Sequence, residues 1–149
     1  MYIRSSLVLL LIFASIISTN QTNFLNDDGL EAYKEKVGLF IVKITEFANK
    51  IISENKGKSE DVKTEAYQNY KVYLNDELRP FVSDAEEAED KIREAYHVIA
   101  ENQNKDQVGK AQEELAFYTE KMKIMENLDE ALKSLETKLI LELTFGGSR

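Results

Sequence analysis

Residues 30–52 read LEAYKEKVGLFIVKITEFANKII. Within them Leu30, Tyr33, Val37, Phe40, Ile44, Phe47 and Ile51 recur at steps of three and four. That spacing keeps pace with an α-helical turn of about 3.6 residues, so the seven side chains line one seam while the residues between them meet water. Ile41, Ala48 and Ile52 widen the seam on one side into the apolar face of a bundle helix. A strand would need alternation at every second residue, which this stretch lacks.

Both ends of the stretch are punctuated. Upstream, Asn26-Asp27-Asp28-Gly29 offers an aspartate to cap the helix and meet its positive end. Downstream, Lys56-Gly57-Lys58-Ser59 combines a glycine stop with a fresh cap residue, so the first helix should end near Asn55.

The same periodicity continues beyond this loop. A second stripe runs through Val62, Ala66, Tyr70, Leu74, Leu78, Phe81, Ala85, Ala88, Ile92, Ala95 and Ile99, with Glu60 and Asp61 in the first turn. Its phase survives Pro80, although a proline removes a helical hydrogen bond and clashes with the preceding turn. Ser83-Asp84-Ala85-Glu86 would cap a new helix, so a bent continuous helix and a true break both stay open here. Ala85, Ala88 and Ala95 leave little bulk on the second half. The polar run Glu101 to Asp106 reads as the next loop, with Asp106 as its cap.

A third stripe runs through Val108, Ala111, Leu115, Tyr118, Met122, Met125, Leu128, Leu132, Leu135 and Leu139. The step from Met125 to Leu128 is three where four was due, and Asn127-Leu128-Asp129-Glu130 could cap a helix. The expectation is therefore an all-α chain: an antiparallel helical bundle of three to four long amphipathic helices, with kinks or breaks near Pro80 and Asn127. The bundle domain should occupy residues 29–145, behind a polar lead at 19–28 and ahead of a flexible tail at 146–149.

Residues 1–18 carry a different signal. Arg4 precedes an apolar run strongest from Leu7 to Ile17, which is too short for the roughly 20 residues of a membrane-spanning helix and has the layout of a cleavable signal peptide. The chain is expected to be secreted into the extracellular space, with no integral membrane anchor. A glycosylation sequon, Asn20-Gln21-Thr22, follows the expected cut closely. Loss of Arg4 with the leader leaves 18 basic against 27 acidic side chains, a net charge near −9. Such a surface repels phosphate backbones, which excludes nucleic acid as a partner. With no cysteine in the chain, stability must come from packing alone.

No constellation in the sequence points to catalysis. His97 stands three residues after Glu94, a spacing used in carboxylate di-metal bundles, but those need a second such pair and further inward glutamates. Asp84, Glu86, Glu87, Glu89 and Asp90 fall at helical spacing, without the turns and glycine that converge oxygens on calcium. Glu87 with Lys91 and Glu89 with Arg93 read instead as i,i+4 pairs on a wet face. Serine lacks a nucleophile-elbow context, and no glycine loop suits phosphate. The chain is read as a non-enzyme with no cofactor and no metal.

Binding roles remain. The dense apolar end Leu139, Ile140, Leu141, Leu143 and Phe145 is the candidate docking surface for an unidentified extracellular protein, or for self-association, since such seams serve within and between chains alike. The alternative is an extracellular carrier of lipid or another small apolar ligand, with Tyr33, Tyr70, Tyr73, Tyr96 and Tyr118 as candidate lining residues. Against the lipid reading stands the acidic balance, because lipid-surface helices favour Lys and Arg on their polar face.

Overall fold

The computed structural model describes residues 27–146, and every regular element among them is an α-helix. α1 spans Asp27–Asn55, α2 spans Glu60–Glu101 and α3 spans Lys105–Phe145. They form a bundle of three helices rather than four. The expected signal peptide at 1–18, the lead up to residue 26 with its sequon at Asn20, and residues 147–149 of the tail lie outside the described residues.

The helix ends follow local chemistry. α1 stops at Asn55 as the glycine signal requires: Gly57 adopts φ +79°, a left-handed conformation that costs an ordinary L-residue energy. α3 starts two residues earlier than expected, at Lys105, because Asn104 rather than Asp106 is the cap. Its Oδ1 accepts from the backbone N–H of Asp106 at 3.0 Å and of Gln107 at 3.4 Å. Asn102 in turn accepts from the Asn104 N–H at 3.0 Å, so the short connection is self-braced.

The two interior break signals do not end a helix. α2 is continuous through Pro80, which lies on the exposed side between buried Leu78 and Phe81. On that side the carbonyl deprived of its donor can turn to water, so the proline is tolerated while the apolar seam continues. The Ser83 capping box is not used either; Asp84 instead accepts a hydrogen bond from the Tyr33 hydroxyl at 3.1 Å. α3 is likewise continuous through Asn127, and Ile124, Met125 and Leu128 are all buried there. A broad apolar patch around the short step absorbs the phase shift without a break.

The described residues divide into two compact units, each holding a segment of all three helices. In the unit built from 27–35 and 81–126, α1 contributes Leu30 and Tyr33, while α2 contributes Phe81, Ala85, Ala88, Ile92 and Ala95. Against the small alanines of α2, the buried side chains that α3 brings to this unit are larger, among them Leu115, Met122, Ile124 and Met125. Tyr33 packs on Phe81 with ring centroids 6.4 Å apart, and the Lys121 ammonium stands 4.7 Å from the Tyr33 ring centroid.

In the unit built from 36–80 and 127–146, side-chain pairs fix the helix directions. Lys43 pairs with Glu77, and further along α1 the Phe47 ring lies 4.1 Å from that of Tyr73, so α1 and α2 run antiparallel. Asn49 accepts from Lys138 at 3.2 Å and Lys56 lies 3.6 Å from Glu142, so α1 and α3 run parallel. The core here is richer in leucine: Leu74, Leu78, Leu128, Leu132, Leu135, Leu139 and Leu143 join Val37, Phe40, Ile44 and Ile51. Each such fully buried side chain contributes about 1.5–3 kcal/mol of transfer free energy.

Candidate functional site

The C-terminal apolar cluster occupies the last turns of α3, and the helix sorts its members by phase. Leu139 and Leu143, four residues apart, point into the unit and are buried. Ile140, Leu141 and Phe145 lie off that seam and are 43%, 51% and 66% exposed. Leu141 and Phe145 are again four apart and therefore share one outer ridge of the helix. The five residues proposed from sequence are thus neighbours in the chain that serve two different surfaces.

Beside this turn runs an open groove lined by Glu60, Lys63, Thr64 and Tyr67 of α2 and by Ile140, Leu143 and Thr144 of α3. It joins an apolar wall to three hydroxyl-bearing side chains and one ion pair. Lys63 is nearly buried, and its ammonium donates to Glu60 at 2.9 Å, one helical turn away. The groove volume of about 210 Å³ is modest, since sites for drug-sized ligands usually occupy about 300–1,000 Å³.

One edge of the groove is held by a polar clasp around Glu136. The Tyr67 hydroxyl donates to its Oε1 at 2.5 Å, and the Lys71 ammonium donates to the same oxygen at 3.2 Å. Burial, then the hydrogen bond to Glu136, pushes the Tyr67 phenol above its ordinary value. The same carboxylate raises Lys71 by accepting its hydrogen bond. This clasp between α2 and α3 was not foreseen from sequence, because Tyr67, Lys71 and Glu136 flank rather than form the stripes. Charged residues immediately beside a seam are the only local hint of such a pair.

The five tyrosines do not form one lining. Tyr33, Tyr96 and Tyr118 belong to one compact unit, and Tyr70 and Tyr73 to the other. Tyr33 and Tyr70 are buried, while the other three are half-buried. Tyr70 is stacked beside Phe47 with centroids 6.3 Å apart, and its hydroxyl has no partner among the described residues. Burial first, then the Glu136 charge, pushes its phenol up to about 12. The Tyr96 hydroxyl is also without a partner, and burial raises its phenol too. Burial, reinforced by the Asp84 carboxylate, does the same for Tyr33. Phenols raised in this way hold their protons at neutral pH and act as hydrogen-bond donors rather than as bases or nucleophiles.

The remaining polar candidates lie on wet faces. His97 is exposed, with its Nε2 3.2 Å from Glu101, one turn along α2. Among the described residues no group of three or more His, Cys, Asp or Glu side chains is gathered to hold a metal ion. Arg93 pairs with Glu89 at 3.4 Å as its spacing suggests, and also with Asp90 at 3.1 Å. Lys91 differs from expectation: it donates to Glu94 at 3.0 Å instead of pairing with Glu87.

Leu39 and Val42 are large, apolar and exposed on α1, outside the surfaces expected from the sequence. Their signal was present in the pattern, since both fall out of phase with the Phe40 and Ile44 seam. No helix among the described residues is long and apolar enough to cross a membrane. No protein-family model, curated protein or solved structure matches this chain.

Proposed function

We propose that this chain is a secreted, acidic, non-catalytic protein that acts by binding another protein outside the cell, as an interaction or effector module. The observation that carries the reading is the outer ridge of α3, where Leu141 and Phe145 remain largely exposed, with half-exposed Ile140 on the groove side, beside buried Leu139 and Leu143. Large apolar side chains gathered in water favour docking, because a partner that covers them gains their transfer free energy. The net charge of −8 supports a protein partner over nucleic acid or an anionic lipid surface. The apolar run at Leu7–Ile17 supports export.

The test compares the unaltered chain with a Leu141→Glu, Phe145→Glu double variant. Both are used to capture proteins from the extracellular fluid in which the chain accumulates. Partners held by the unaltered chain and lost by the variant, at equal helicity, support the reading; partners held equally by both refute this ridge as the docking surface. Sedimentation of the same pair over a range of concentrations distinguishes self-association from binding to a different protein.

The groove beside Ile140 and Leu143 supports a second reading, an extracellular carrier of a small apolar ligand. Its size restricts such a ligand to a short chain or single ring. Native mass spectrometry of protein from its natural source tests this: a bound small molecule supports the carrier, and consistently empty protein rejects it.

A further inference from the structure

We draw no further inference here: the strongest candidate, the groove between the first turns of α2 and the last turns of α3 with nearly buried Lys63 on one wall and Ile140 and Leu143 on the other, belongs to the site already described, and nothing in the structure shows what covers it.

Discussion

Tyr67 and Tyr70 stand one turn apart on α2, and removing the same atom from each should move stability in opposite directions. Tyr67 donates its hydroxyl to Glu136 at 2.5 Å. Tyr67→Phe deletes a hydrogen bond to a charged group and should cost about 1–2 kcal/mol. Tyr70 is fully buried and its hydroxyl has no partner among the described residues. An unpaired buried hydroxyl costs about 1–3 kcal/mol relative to water, and the small void left by Tyr70→Phe takes back part of that. The net expectation is a gain of about 1 kcal/mol, or a rise of roughly 2–4 °C in Tm for a chain of this size.

The alkaline limb supplies a second, independent readout of the same residue. The Tyr70 phenol is raised from 10.0 to about 12 in the folded protein. Because burial disfavours the phenolate in the folded protein, the folded value exceeds the unfolded one: ionisation takes no stability away below pH 10, and stability falls as pH climbs toward 12. The loss runs at about 1.4 kcal/mol per pH unit across that window. Phenylalanine has no proton to lose, so Tyr70→Phe should flatten the alkaline decline as well as raise stability at neutral pH. Urea unfolding followed by the helical circular-dichroism signal, at neutral pH and at about pH 11, measures both effects. If Tyr70→Phe destabilises at neutral pH by as much as Tyr67→Phe does, the Tyr70 hydroxyl has a partner and the reasoning fails.

Leu139→Ala, at a fully buried position, should cost about 2–5 kcal/mol in thermal or urea unfolding. Leu141→Ala, on the outer ridge of the same helix, should stay within about 0.5 kcal/mol; equal losses would mean that the inward and outward faces are misassigned. Gly38→Ala should stabilise by about 0.5–1 kcal/mol, since Gly38 lies inside α1 and an added Cβ meets nothing within 4 Å. Gly57→Ala should destabilise by about 1–2 kcal/mol because of its left-handed φ of +79°, and equal Tm shifts for the two glycine variants would overturn that assignment. Glu136→Gln should weaken the clasp by about 1 kcal/mol. Part of that loss should disappear in high salt, which screens the half-exposed Lys71 partner; a salt-independent loss would point to the Tyr67 hydrogen bond alone.

Much of the bundle is legible from local pattern. Leu30, Tyr33, Val37, Phe40, Ile44 and Ile51 fall on the helical stripe and are buried, as are Leu74, Leu78, Phe81 and the leucines of α3 from Leu128 to Leu139. Such positions are readable because helical phase belongs to one segment and needs no knowledge of its neighbours. The pattern misleads where two adjacent residues compete for the face or where an element runs out. Ala48 rather than Phe47 is fully buried, while Phe47 turns sideways to meet Tyr73. Val62, at the first turn of α2, is exposed although its phase is right.

From the order of residues alone come the helical class, the seam of each helix, the stop at Gly57 and the packing of a chain without cysteines, because each follows from backbone geometry over a few turns. Which interior breaks are ignored, which face of the apolar end of α3 meets water, and which tyrosine hydroxyl finds a partner are decided only by the assembled bundle. Those outcomes depend on atoms supplied by other helices: Tyr33 for Asp84, Tyr67 and Lys71 for Glu136. A contact between residues dozens of positions apart leaves no periodic trace in either stretch, so only the folded chain brings it into being.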